Sequence, residues 1–263
     1  AEAGARLDDR AADGNSALVL ATFNGQGAVA RLLLERGADP DADGAGYTAL
    51  HAAVLRADLD TMRALLAHGA DPNARLLQGS PVRRFASQWA LPRSFLGATP
   101  LFVAAAYREA EAVRELLAWG AAVDAAIGTG VTPLLVAVDT TFEKEVRPTD
   151  LARWNIVDSD FPEVPTAEDD VTATVRLLLE AGANVRALDG NGSTALHPAA
   201  SNGWLTVIQL LADRGTPLDV VNRNGATALA LATPRTTGRG GTLGSEAAAA
   251  LLQKLLAAQK PAR

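Results

Sequence analysis

Apolar residues recur along the chain in short blocks at helical spacing, and each block ends at a glycine. The clearest block is V-A-R-L-L-L-E-R-G-A at residues 29–38, in which a run of leucines precedes Gly37. This spacing predicts an amphipathic helix, and the glycine predicts a left-handed C′ residue that ends it. Equivalent endings occur at Gly69, Gly120, Gly182 and Gly215. The pattern therefore predicts a series of similar helices, each with an apolar face to bury against a neighbour.

A second motif marks the start of another helix in each unit. It reads S-A-L-V at residues 16–19, and five later copies read T-A-L-H, T-P-L-F, T-P-L-L, T-A-L-H and T-A-L-A. Threonine is a good helix N-cap, so Thr194, for example, is predicted to cap the helix that follows it. Pro100 and Pro133 fit the first helical turn, where no hydrogen-bonded N–H is lost. The chain is thus predicted to repeat a pair of helices.

The spacing of this motif locates insertions between otherwise regular units. Its first positions are 32, 51, 33, 62 and 33 residues apart. The two long gaps predict 18 extra residues in the turn before Thr99 and 29 between the two helices that follow Thr132. These insertions cover about 76–98 and 140–170. A third insertion, at 234–246, is rich in glycine and is predicted to be a mobile loop.

A period near 33 residues with T-A-L-H and R-G-A-D signatures resembles the ankyrin repeat. The resemblance covers almost the whole chain, and it implies an all-α solenoid of helix–turn–helix pairs with short β-hairpin fingers. It predicts one domain over residues 1–263 with six repeats, at about 13–42, 43–75, 97–126, 127–188, 189–221 and 222–258.

Composition narrows the function and argues against several classes of activity. The net charge is −6 and the pI is about 5.1, which argues against general binding of nucleic acid. The chain has no cysteine, and no stretch approaches the roughly 18 apolar residues that span a bilayer. Its basic residues are 21 arginines and 3 lysines. That bias indicates a GC-rich genome and, with the many alanines, favours a bacterial source.

The histidines do not indicate a catalytic or metal site. His51 and His197 are the last residues of T-A-L-H, and the resemblance implies that such imidazoles hydrogen-bond within and between hairpins. His68 precedes Gly69 at a position that is usually exposed. No phosphate-binding, zinc-binding or nucleophile motif occurs. We therefore expect no cofactor, no metal and no enzymatic activity.

The resemblance implies instead a module that binds another protein through its finger tips and first helices, which form a concave surface. The matching finger positions are Asp43, Tyr47, Arg75, Asp189, Asn191, Arg223 and Asn224. We expect the protein to be a scaffold or accessory subunit that is monomeric by itself.

The finger insertion S-P-V-R-R-F-A-S-Q-W-A-L-P-R-S-F at residues 80–95 predicts a short two-faced helix. Its apolar face packs either on the concave side of the solenoid or against a partner, and arginines and aromatics are common at interface hot spots. We add six of its residues to the predicted partner surface, namely Arg83, Arg84, Phe85, Trp89, Arg93 and Phe95.

The insertion at 140–170 is acidic, with nine acids and three bases. It is predicted to be a solvated loop whose aromatic side chains pack locally. The alternatives are docking of a partner, binding of a small ligand or hard cation, or acid–base catalysis.

Residues 2–18, E-A-G-A-R-L-D-D-R-A-A-D-G-N-S-A-L, echo residues 180–196, E-A-G-A-N-V-R-A-L-D-G-N-G-S-T-A-L. The first residues are therefore expected to be the tail of another repeat's second helix, either from a longer chain or as a degenerate cap. The alternative is an N-terminus left by signal cleavage, since A-E-A resembles a cleavage site. The compartment stays open between cytoplasmic and periplasmic or secreted.

Overall fold

The helices form where the two sequence motifs lie. The structure, a computed structural model, describes residues 6–7, 9–79, 91, 93–139, 168–236 and 242–259. In these residues the helices are α1 Ala17–Phe23, α2 Gly27–Glu35, α3 Ala49–Leu55, α4 Leu59–Ala67, α5 Pro100–Ala106, α6 Ala110–Ala118, α7 Pro133–Ala137, α8 Glu168–Glu180, α9 Leu196–Asn202, α10 Leu205–Asp213, α11 Ala228–Ala232 and α12 Glu246–Gln259.

These helices pack as pairs that stack into an all-α solenoid, as predicted. Within each pair the first helix contacts the second, from α1 with α2 to α11 with α12. The second helices continue the stack, because α2 contacts α4, α4 contacts α6, α6 contacts α8, α8 contacts α10 and α10 contacts α12. The core therefore runs along the whole stack, and its buried side chains are mostly alanine and leucine.

Hydroxyl side chains begin the first helices. The side chains of Ser16, Thr48, Thr99, Thr132 and Thr227 each accept a hydrogen bond from the backbone N–H three residues later. This satisfies a donor that the first helical turn leaves free.

The predicted cap at Thr194 is wrong. Helix α9 begins at Leu196, and the residue before it, Ala195, already has helical φ and ψ angles of −54° and −23°. The Thr194 hydroxyl instead lies 3.2 Å from Nδ1 of His197. The N–H of His197, which the hydroxyl would cap, donates instead to the carbonyl of Thr194 at 3.1 Å.

The predicted left-handed glycines are confirmed after the second helices. The φ angles of Gly37, Gly69, Gly120, Gly182 and Gly215 lie between 79° and 90°. A Cβ added at any of the five would meet no atom within 4 Å. Glycine is therefore needed here for its backbone conformation and not for space.

Polar side chains at the base of the fingers connect successive repeats. Oδ1 of Asp41 accepts a hydrogen bond from the N–H of Asp71, 2.8 Å away. One repeat later, Oδ1 of Asn73 accepts from the N–H of Ala122 at 2.7 Å. Further along, Oδ1 of Asp124 accepts from a backbone N–H in the same way. These contacts fix the spacing between neighbouring fingers.

The third insertion is not simply a loop. Its ends form two short antiparallel strands, β1 Arg235–Thr236 and β2 Thr242–Leu243. The backbone N–H of Gly244 donates to the carbonyl of Ser201, and that of Ser245 donates to Ala232. These bonds to α9 and α11 hold the base of the insertion, so the predicted mobile loop is corrected to a hairpin at its base. Residues 80–90 of the predicted finger helix and most of the acidic insertion, 140–167, lie outside the described residues.

Two non-glycine residues adopt left-handed backbone angles between the helices of a pair, and we expect substitution by glycine to affect them differently. Ala57 has a φ of 51° and Arg108 has a φ of 57°. The same turn carries Gly25 and Gly203 in other repeats. We expect Ala57→Gly to raise the free energy of unfolding by about 0.5–1 kcal/mol, because the left-handed strain disappears.

Arg108→Gly is the matched comparison, and it should lower stability. Nε of Arg108 donates to the carbonyl of Ala137 at 3.1 Å, and Nη2 donates to the carbonyl of Asp139 at 2.9 Å. These carbonyls end α7, where a positive charge is favoured. Urea unfolding of both variants checks the pair, and a stabilising Arg108→Gly would show that these hydrogen bonds contribute less than the relief of left-handed strain.

Candidate functional site

Within the predicted concave face, the first helices are accessible only at the two ends of the stack. Every residue of α3, α5 and α7 is buried. The fourth residue after the motif threonine shows the contrast, because Ala52, Val103 and Val136 are fully buried at this position. The counterparts Pro198 and Leu231, near the C-terminal end, are only half-buried. The first helices of the middle repeats therefore offer no side chain to a partner, and the predicted surface is corrected accordingly.

Two predicted contact residues belong to the core. Tyr47 and Phe95 are each 2% exposed. The Tyr47 ring lies 6.0 Å from the ring of Phe23, and the Phe95 ring lies 5.4 Å from that of Phe102 and 6.2 Å from that of Tyr107. The Tyr47 ring packs between neighbouring repeats and the Phe95 ring packs between its finger and α5, and burial of such large aromatic groups is favourable. We therefore remove both residues from the predicted partner surface.

Two exposed finger arginines bind the backbone of neighbouring fingers. Nη1 of Arg75 lies 2.7 Å from the carbonyl of Gly97, at the other end of its own finger, and 2.8 Å from that of Ala126 in the next finger. Nη1 of Arg223 lies 2.5 Å from the carbonyl of Gly190, in the preceding finger. The guanidinium groups thus connect neighbouring fingers, and both residues are exposed.

Asp189 and Asn191 shape the tip of the fifth finger. Oδ1 of Asp189 accepts from the N–H of Asn191 at 2.8 Å and from the N–H of Ser193 at 2.7 Å. The carbonyl of Asn191 accepts from the N–H of Arg223 in the next finger, 2.8 Å away. Both side chains are half-buried, and the first role of the Asp189 carboxylate is to hold the hairpin in shape.

The other predicted contact residues divide into two groups. Asp43, Arg93 and Asn224 are exposed, as a partner contact requires. The remaining four, Arg83, Arg84, Phe85 and Trp89, lie outside the described residues.

Sequence reasoning missed an apolar part of this surface. Leu188 is 49% exposed and Val221 is 59% exposed, at equivalent positions of the fifth and sixth fingers. They lie six residues before the motif threonines, where the fourth finger has the smaller Ala126. The signal was the presence of large apolar residues at a finger position that the rest of the chain fills with small or charged ones. With Arg223 and Asn224 they form what we call the C-terminal finger surface.

The predicted hydrogen bonds of His51 are confirmed. Its Nδ1 accepts from the N–H of Thr48 at 3.3 Å, and its Nε2 lies 3.2 Å from the carbonyl of Ala98 in the next finger. Because the imidazole is fully buried, desolvation lowers the pKa of His51 to about 4, partly opposed by the Ala98 carbonyl. The neutral ring therefore connects two repeats at neutral pH.

His197 repeats this arrangement in part. Its Nδ1 accepts from the N–H of Thr194 at 3.1 Å. Burial lowers the pKa of His197, and the carbonyls of Ala226 and Val220 oppose that shift. The buried Nε2 nevertheless has no hydrogen bond of good geometry. Neither motif histidine is therefore placed as a catalytic base.

The described residues contain no group of three or more His, Asp or Glu side chains that could hold a metal ion. A cavity beside Arg10 and Asp39 has a volume of about 140 Å³. Sites for small ligands usually occupy roughly 300–1,000 Å³, so this cavity is smaller than a usual ligand site.

Within the described part of the chain, no helix is long and apolar enough to cross a membrane.

The fold and this surface define a class of protein, the α-helical repeat solenoid with hairpin fingers, which presents an extended surface. The sequence matches the profile of ankyrin repeats in three copies at residues 1–75 and 166–258, and that of the single ankyrin repeat at 96–126. The protein belongs to the ankyrin repeat family.

Two curated relatives are longer proteins. Human Ankyrin repeat and SOCS box protein 16 is 31% identical over 199 residues, which make up 71% of this chain and 40% of that protein. The mouse B-cell lymphoma 3 protein homolog is 31% identical over 170 residues, or 61% of this chain and 34% of that protein. The aligned part is thus less than half the length of either relative.

Two solved structures share the fold. The crystal structure of the ankyrin repeat domain of Bcl-3, a member of the IkappaB protein family, has a TM-score of 0.64 and 27% identity, covering 96% of this chain and 88% of that chain. An ankyrin repeat domain from Acinetobacter baumannii AYE has a TM-score of 0.60 and 27% identity, covering 80% of this chain and 87% of that chain.

Proposed function

We propose that this protein is a non-catalytic interaction module that binds a protein partner through the C-terminal finger surface. Ankyrin repeats are generally modules for protein–protein interaction, which gives the class of function. The observation that selects this surface is the exposure of Leu188 and Val221 beside first helices that stay partly accessible.

The chemistry of the surface suits a protein partner. Exposed apolar side chains supply area that a partner can bury, and the adjacent Arg223 and Asn224 supply donors for orientation. The hydrogen bonds between fingers hold these groups in place before binding, which reduces the entropy lost on association. The acidic chain makes nucleic acid a poor partner, and the proposed module acts as a monomer.

Site-specific photo-crosslinking in the source cell tests this assignment. A photoreactive phenylalanine analogue at position 188 or 221 is expected to capture the same protein. Leu205 is the matched control, because it is apolar and 38% exposed but begins α10 on the second-helix side of the fifth repeat. Equal capture of that protein from position 205, or no capture from either finger, would contradict the proposal.

The captured partner then allows a quantitative test. Leu188→Asp and Val221→Asp should weaken its binding by roughly tenfold or more each, because central apolar contacts dominate interfaces. Leu205→Asp should leave the affinity unchanged. Since all three side chains are exposed, circular dichroism should show the same fold in every variant.

A further inference from the structure

The outer face of α2 is apolar although it lies at the end of the described stack. Val29 is 45% exposed and Leu32 is 48% exposed. A terminal helix of a repeat protein normally has a polar outer face, because nothing covers it. The last helix fits that rule, since the exposed residues of α12 are alanines and polar residues such as Gln253 and Lys254. Helix α2 is therefore built differently from a terminal cap.

The position of Val29 is buried in the four later second helices that end at a C′ glycine, α4, α6, α8 and α10. Val29 lies eight residues before its C′ glycine, and the residues at the same distance are Thr61, Ala112, Thr174 and Val207. Their exposure is 1% or less. The position is therefore an inward-facing one that loses its cover only at α2.

Contacts in the next repeats show what covers this position. Oγ1 of Thr61 lies 2.8 Å from where a Cβ on Gly27 would stand, so Thr61 faces the preceding second helix, α2. The counterpart of Leu32 in α6 is Glu115, whose Oε1 accepts from Nε and Nη2 of Arg63 in α4 at 2.8 and 2.7 Å. Both positions thus face the second helix of the preceding repeat.

The residues before α1 have the spacing expected for the end of a further second helix. Residues 2–5 read E-A-G-A, as do residues 180–183, which include the last residue of α8 and its C′ glycine. A second helix that ends at residue 2 would stand before α2 as α2 stands before α4. We infer that the apolar face of α2 seats the second helix of a further ankyrin repeat in the same polypeptide, N-terminal to α1. This contact continues the established stack of second helices, and it lies at the end opposite to the C-terminal finger surface.

Cysteine labelling tests the inference cleanly, because the 263-residue chain has no cysteine of its own. Val29→Cys is introduced into this chain and, at the chromosomal gene, into the protein that the source cell makes. The fraction of the peptide that carries the label is then measured over time by mass spectrometry. We expect Cys at position 29 to react roughly tenfold or more slowly in the cellular protein than in the 263-residue chain, because a stacked helix must open before the thiol is reached.

Arg36→Cys is the matched control on the same helix end. Its counterparts His68, Trp119, Ala181 and Arg214 are all exposed in later repeats. Position 36 should therefore label at the same rate in both proteins. Val207→Cys gives the labelling rate that is expected for a covered position.

Two outcomes would overturn the inference. Equal, fast labelling at position 29 in both proteins would show that no further repeat covers the face. Protection in the 263-residue chain itself that fades on dilution would assign the face to a second copy of the chain instead.

Discussion

Replacing Phe95 with alanine is expected to lower the free energy of unfolding by about 3–5 kcal/mol, the usual effect of removing a fully buried phenylalanine side chain. Phe95 is 2% exposed and packs on Phe102 and Tyr107, so the substitution leaves a cavity between the finger and α5. The measurement is the shift of the urea unfolding midpoint, with the slope of the transition checked for constancy.

Arg93→Ala is the control for Phe95→Ala, because Arg93 is exposed and lies in the same short 3₁₀ turn, Arg93–Phe95. It should change stability by no more than about 0.5 kcal/mol. If Phe95→Ala left the unfolding midpoint unchanged, the ring would not be part of the core, and its predicted role in partner binding would stand again.

Acidification from pH 7 to pH 4 is expected to remove on the order of 3 kcal/mol of stability through His51 alone. Burial lowers its pKa from 6.5 in the unfolded chain to about 4 in the folded protein. Between these values the unfolded chain binds the proton and the folded protein does not. The contribution is therefore complete above about pH 6.5 and is lost as the pH falls towards 4.

His51→Leu isolates this effect from the titration of the carboxylates. Leucine occupies the equivalent motif position at Leu135, so the substitution suits the site in shape. At pH 7 the variant should be less stable than the wild type, because the N–H of Thr48 loses its acceptor. The difference should shrink by about 3 kcal/mol on going to pH 4. His68→Leu, at an exposed residue, serves as the control, and a His51 difference that is constant with pH would exclude the linkage.

Most of the fold was predictable because its signals are local. The motif threonines and the C′ glycines act on their own helix through backbone geometry, so their positions located the helix ends and the insertions. The exception is Thr194, whose carbonyl rather than its hydroxyl accepts from the N–H of His197. The ends of the insertion at 234–246 pair as strands because bonds to Ser201 and Ala232 hold its base, and no local pattern reveals such contacts.

The candidate site was less predictable, because accessibility depends on what packs beside each residue. Tyr47 and Phe95 have the residue type of an interface hot spot, and only their neighbours show that they belong to the core. Arg75 and Asp189 have the residue types of contact residues, but they bind backbone groups of their own chain. Leu188 and Val221 were passed over, because an apolar residue in a short loop has no periodic pattern around it.

The sequence by itself determined the repeat, the family resemblance, the number of helix pairs and the positions of the insertions, because each follows from motifs that recur at a fixed spacing. Only the tertiary structure decided which faces are covered. It buried the first helices of the middle repeats, left the last two fingers exposed and left α2 with an apolar outer face. The physical reason is that burial is a property of neighbours brought together by stacking, and residues about 33 apart in the chain become neighbours only when the repeats pack.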